Sequence, residues 1–475
     1  MAINSNPSSP AEATGLRGGA VGLWGDIIAA VTNVAPSTGV ATTLGAILAV
    51  AGHATPFIVL VAGISMLCIA VAYDRMNLWQ PSAAAQAMWV ARAMSPVIGL
   101  ALGLTIMIES VISNVGNATL FGPYFLGLVF PSQASNGFLQ AVISTFFVAL
   151  VTAIAILGIR AAIRFQTYII WVEFAIMFAF LVFLVHAEYT GMSGSQNWSL
   201  SWFLPSAGGS FGGILGGFVI AVFMLGGWES AVYLAEEQQE AHLDPGRAGI
   251  ITVIFTTIWS LLLVMGIQAI APVSDLVSHS ANVVAYAAGL VMPNWLSFLV
   301  SLAVLSSVIG VVQAQLQVFS RIGYRLSLEG LLPKWMARLS VAQTPWIGIT
   351  IAAVLPVILL LVYLSNGTAA SSLALVTGSA GILYIAMYVA GGLACTWYYR
   401  RVLFKTATRL FYAGILPLIG VVILLGALVA GIPNIPTGTL IPATIFVLIG
   451  IPIAWLVRIR THAAFFDRKV ESASE

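Results

Sequence analysis

About twelve apolar runs, each near the twenty residues that cross some 30 Å of hydrocarbon, occupy this chain almost from end to end. They read at 22–50, 55–75, 96–128, 138–158, 164–186, 211–237, 249–271, 293–325, 346–364, 373–398, 411–431 and 440–458, numbered spans 1 to 12 in chain order. The fold class this predicts is an all-α integral membrane protein. Composition agrees: 7% of the 475 residues are charged and 60% hydrophobic, against about 25% charged in soluble domains. So few charges cannot cover a water-exposed surface, which excludes a soluble enzyme, a nucleic-acid binder and a disordered scaffold. A net charge of +2 implies no acidic or basic macromolecular partner. Cys68 and Cys395 fall inside apolar runs, where packing is their expected role. The polar start, Met1 to Leu16, has no basic region feeding a short apolar core, so no cleavable signal peptide is expected.

The basic residues test the count. With the amino terminus inside, Arg17, Arg75, Arg92, Arg160, Arg164 and Arg247 all fall on that side. So do the groups at the end of and after span 8 (Arg321, Arg325, Lys334, Arg338), after span 10 (Arg400, Arg401, Lys405, Arg409) and at the end of and after span 12 (Arg458, Arg460, Arg468, Lys469). All 18 Lys and Arg sort to one face, which predicts a cell-membrane protein with both termini cytoplasmic.

Two spans carry helix breakers at mid-membrane. Span 1 reads Asn33-Val-Ala35-Pro36-Ser37-Thr38-Gly39, and span 6 reads Phe223-Met-Leu225-Gly226-Gly227-Trp228-Glu229. Proline removes a backbone donor and glycine adds freedom. Taken singly, each fits a kink or a packing notch. Paired at equivalent places in two five-span halves, they point to a transporter of inverted repeats with its substrate at unwound backbone.

At these residues the chain resembles the amino acid–polyamine–organocation (APC) superfamily of LeuT-fold transporters. The resemblance rests on Ser320-Arg321, Tyr324, Glu329-Gly330 and Pro333 after span 8, with Thr344-Pro345 opening span 9. It rests also on Gly227-Trp228-Glu229-Ser230-Ala231, Glu236-Glu237 and Asp244-Pro245-Gly246-Arg247, and on a short helical stretch from Pro81 to Pro96. Gly158 followed by Gln166 matches the corner between spans 4 and 5. It implies repeats at 22–190 and 191–400, two added helices at 401–459, a cytoplasmic segment at 1–21 and a cytoplasmic tail at 460–475. Where the family has Gly-Ser-Gly in span 1, this chain has Ala35-Pro36-Ser37-Thr38-Gly39. Family amides there bind the substrate carboxylate; without a proline N–H, Ser37, Thr38 and Gly39 remain as donors.

Four acids lie in or at the edge of spans, and none has a basic residue in any span interior: Asp26, Glu109, Glu173 and Glu229. Each must be protonated, be hydrated or meet an arriving cation. Resemblance places Glu229 at an acid that links the two broken helices, as a brace, a proton sensor or both. Glu173 falls where some proton-coupled members carry a lysine; it suits a proton carrier, or, ionised, a sodium ligand with Ser306 or Ser307. Resemblance sets Glu109 and Asn114 on the pocket wall, Glu109 favouring a distal ammonium or guanidinium, with Gln315 facing the same cavity. Asp26 reads as a solvated helix-start acid. Phe223 matches the aromatic gate over the substrate.

The expectation is a secondary active transporter, not an enzyme, importing an amino acid or organic amine by alternating access, with an exchanger or a sodium symporter as alternatives. Substrate would be held by Ala35, Ser37, Thr38, Gly39, Glu109, Asn114, Phe223, Leu225, Gly226, Gly227 and Gln315, and ion coupling by Glu173 and Glu229. No cofactor and no metal site are expected; the coupling ion is a proton or, alternatively, sodium. Partners are a small-molecule substrate and membrane lipid, not nucleic acid, for a monomer or homodimer.

Overall fold

The computed structural model describes residues 15–473 apart from 193, 367 and 368; residues 1–14 of the amino-terminal segment and 474–475 of the tail lie outside it. Nine helical stretches among the described residues are long and apolar enough to cross a membrane. One of these, Leu23–Trp79, is 57 residues long and folds back at the 3₁₀ turn Gly52–Ala54, so it holds both span 1 and span 2. Two shorter apolar helices, Phe211–Leu225 and Trp346–Val362, fall in spans 6 and 9. Helix thus makes up most of each of the twelve apolar runs, and no strand occurs among the described residues.

The helices end where their sequences allow. Pro96 opens span 3 and Pro245 opens span 7, at the first-turn positions where a missing N–H costs nothing. Span 7 consequently begins at Asp244, ahead of the apolar run at 249. Span 12 is divided into Thr437–Leu448 and Gly450–Thr461, and span 11 opens through a π-helical turn, Leu410–Ile415. Between spans 7 and 8 the chain forms two short helices, Val273–Ser278 and Val283–Val291, too short for a spanning pattern to reveal. The stretch after Pro81 forms the helix Ala85–Ala93, but only Arg92 of it escapes burial, because spans 3 and 10 enclose it.

Packing puts the interrupted spans at the centre. Span 3 lies against spans 8 and 10, span 2 against span 7, and the second half of span 1 against the first half of span 6. At one end of the bundle, ion pairs of Arg325 with Glu236 and of Arg468 with Glu329 tie separate segments together, beside the local pairs of Arg75 with Asp74 and of Arg325 with Glu329. Below them Arg321 and Glu237 form a pair exposed by only 1% and 2%. The tail is not free: Phe465 and Phe466 are buried, and Glu471 and Ala473 donate backbone N–H to the carbonyls of Arg92 and Tyr398.

Candidate functional site

Span 1 is two helices, Leu23–Val34 and Pro36–Ala51, joined through Ala35 in the left-handed region (φ 47°, ψ 63°). That conformation is uncommon for a residue with a Cβ, and it turns the backbone so that Pro36 can open a new helix. Span 6 runs as Phe211–Leu225, turns out through Gly226 and Gly227 (φ +107°), and resumes only as the single turn Ser230–Tyr233 and the 3₁₀ turn Ala235–Glu237. The second part of span 6 is therefore shorter than the apolar run to 237 indicates.

The two breaks meet. The Asn33 side-chain amide donates to the Gly227 carbonyl at 2.9 Å across the junction. A Cβ on Gly227 would stand 2.8 Å from the Asn33 carbonyl oxygen, and one on Gly39 2.8 Å from the Met224 carbonyl oxygen, so the two helices touch backbone to backbone. Beside the contact lies a cavity of about 20 Å³, room for little more than one water. Ala35, Thr38, Gly39, Phe223 and Gly226 line it, together with Asn33, Thr42, Ser113, Asn117, Val311 and Tyr384.

Backbone polarity around this cavity is divided. Ala35 N–H bonds back to the Val31 carbonyl at 2.9 Å, and Gly39 N–H to the Ala35 carbonyl at 2.8 Å. Gly39 is therefore not an available donor, a correction to its expected role: it is the first residue of the new helix to close an internal bond. Ser37 and Thr38, ahead of it in the first turn, keep free N–H groups at the positive end of Pro36–Ala51. The helices ending at Val34 and Leu225 present carbonyl ends to the same region.

The remaining expected residues form two groups behind this wall. Glu229 accepts from the Tyr388 hydroxyl at 2.7 Å and from Gly227 N–H at 3.1 Å, and so braces the turn of span 6. Tyr388 stacks on Trp228 (5.3 Å, 20°) and on Tyr384 (5.6 Å, 22°). Glu109 and Gln315 converge on the Tyr384 hydroxyl, Gln315 donating to it at 3.2 Å and reaching the Ser113 hydroxyl at 3.5 Å. Neither lines the cavity, nor do Asn114, Leu225 and Gly227, all of which are buried close by. Separately, Glu173 of span 5 lies near the Ser37 and Ser307 hydroxyls, at the break of span 1 and on span 8, and neither hydroxyl has a hydrogen-bond partner among the described residues. Tyr388→Phe should cost about 0.6–1.7 kcal/mol of stability, from the average to the upper end of single hydrogen bonds measured inside a membrane protein. Denaturant titration of the purified variant in detergent measures this; an unchanged midpoint removes the brace.

Asp26 is not solvated. It is 0% exposed, with Gln238 at its carboxyl and Asp244 nearby. Residues 20 and 21 bond to the Glu237 carbonyl, and Gln239 N–H to the Val21 carbonyl, which lays the loop after span 6 over it.

Two comparisons bear on this architecture. Residues 22–451 match a family described as "Amino acid permease". An uncharacterized protein of Methanocaldococcus jannaschii is 24% identical over 332 residues, 68% of this chain and 72% of the relative.

Proposed function

Because this chain belongs to the amino acid permease family, we propose that it imports an amino acid or organic amine across the cell membrane by proton-driven alternating access. The observation that carries this reading is the junction of two interrupted helices, bridged by Asn33 and Gly227, beside a small cavity. A zwitterion matches its polarity. The substrate carboxylate would take the Ser37 and Thr38 amides at the positive end of Pro36–Ala51, and its ammonium the carbonyl ends at Val34 and Leu225. About 20 Å³ cannot hold an amino acid, so loading would require Phe223 and Tyr384 to part. Ser113 and Asn117 would meet the side chain of the substrate. Glu109, behind Tyr384, would come into reach only of a long cationic one. In this reading residues 22–190 and 191–400 are the two inverted repeats, and both termini are cytoplasmic.

Glu173 is the proposed proton site. Its carboxyl lies near Ser37, whose amide would be one of the two substrate donors, so gaining or losing a proton there would act on the break. In proteoliposomes with an inwardly directed proton gradient, the wild type should concentrate a labelled substrate, and Glu173→Gln should only equilibrate it, a loss of tenfold or more in accumulation. Accumulation unchanged in Glu173→Gln rejects the coupling role. Uptake into empty vesicles separates import from obligatory exchange, and a sodium gradient at equal pH separates the two coupling ions.

A further inference from the structure

Spans 1 and 5 enclose two hollows on the outer side of the bundle, one following the other along both helices. At the basic end is a cleft of about 350 Å³ between the backbone around Gly19 and Gly22 and the side chains of Arg160 and Arg164. Next toward the membrane centre comes an apolar groove of about 510 Å³, walled by Trp24, Ile28 and Val31 on one side and by Ile170, Phe174 and Phe178 on the other. Span 7 forms its floor, where Phe255 and Trp259 meet the Phe174 ring edge to face at 5.2 and 4.8 Å.

The charges at the mouth are uncommitted. Arg160 and Arg164 are one helical turn apart on the same face and exposed, and the ion pairs among the described residues all involve other side chains. Two guanidiniums so spaced match the oxygens of a phosphate. From Arg164 to Phe178 the helix rises about 21 Å at 1.5 Å per residue, which is the hydrocarbon of one leaflet, about 15 Å, plus its headgroup layer. Trp24 and Trp171, each 61% exposed, border the groove. A free anion would fill the cleft and leave the groove empty.

We propose that cleft and groove together bind one anionic phospholipid, its phosphodiester on Arg160 and Arg164 and one acyl chain along the groove. Ordinary lipid contact needs neither a concave surface nor a cationic mouth. One wall, Leu23–Val34, ends at Ala35, and the other is span 5, whose Glu173 lies near Ser37. A seated chain would therefore hold the first half of span 1 against span 5.

The test is native mass spectrometry of the full chain released from nanodiscs of phosphatidylcholine containing phosphatidylglycerol, with thermal midpoints measured in the same discs. The wild type should retain one phosphatidylglycerol per chain. Arg160→Gln/Arg164→Gln should lose it through the headgroup, and Ala175→Trp, which fills the groove from an exposed position, should lose it through the chain. Both variants should keep the wild-type midpoint in pure phosphatidylcholine. Equal retention by either variant overturns the proposal, as does equal retention of phosphatidylcholine by the wild type. Inorganic phosphate raising the midpoint in detergent as much as phosphatidylglycerol also overturns it, since the cleft would then serve a free anion. None of these readouts depends on transport.

Discussion

Arg321→Leu is expected to cost about 3–5 kcal/mol of stability, because it strands a buried carboxylate. Arg321 holds Glu237 through two nitrogens, Nε on Oε2 and Nη2 on Oε1 at 3.2 Å, and its Nη1 reaches the Gln317 carbonyl at 3.4 Å. With both side chains almost wholly removed from solvent, nothing else can satisfy the Glu237 carboxylate once the guanidinium is gone. The double variant Arg321→Met/Glu237→Leu should recover most of the loss, since an apolar pair of similar volume removes both charges together. Denaturant titration in detergent of the wild type, Arg321→Met, Glu237→Leu and the double variant gives the coupling, with Arg321→Leu as the more severe truncation. A double variant no more stable than Arg321→Leu would show that the pair stabilises by more than mutual neutralisation. The pair also fixes the loop after span 6: the Glu237 carbonyl receives the N–H groups of Ala20 and Val21, so losing it should loosen the cover over Asp26.

The spans and their interruptions were legible in sequence because the bilayer imposes a length, and because Pro36 and the Gly226-Gly227 pair cannot continue a helix without consequence. Which face of each helix looks inward was not legible. Span 3 is buried around most of its circumference, so it has no polar stripe against which to orient a residue. Asn114 was the expected amide, whereas the residues on the cavity are its neighbours Ser113 and, one turn on, Asn117. A shift of one position is about 100° of rotation on a helix. Tyr384 and Tyr388, four apart in an apolar run, look like packing until Glu109, Gln315 and Glu229 are found at their hydroxyls. Asn33 could have been suspected, as an amide two residues before the break at Ala35. Asp26 could not: Gln238, which covers it, comes from the far side of the sequence.

Gly227→Val should reduce transport more than a hundredfold. Gly227 lies at φ +107°, where a side chain is strained whatever space surrounds it. Space is lacking too: the added Cβ would stand 2.8 Å from the Asn33 carbonyl oxygen and 3.1 Å from the Asn33 amide nitrogen that bonds the Gly227 carbonyl. Relief requires the two interrupted helices to separate, which breaks that bond and shifts the Glu229 contact to Gly227 N–H. Gly39→Ala attacks the same contact from span 1, against the Met224 carbonyl, at a residue with an ordinary helical backbone. It isolates the steric part, and a drop of at least tenfold is expected. The double variant should be little worse than Gly227→Val, because either change alone parts the helices. Gly216→Ala, in the helix Phe211–Leu225 that precedes the break and with no atom within 4 Å of its would-be Cβ, should transport normally. Uptake into proteoliposomes, normalised to folded protein by size-exclusion recovery, measures all four. Wild-type transport by Gly39→Ala and Gly227→Val would mean that close approach of the two breaks is not part of the cycle, and the substrate path would have to lie elsewhere in the bundle.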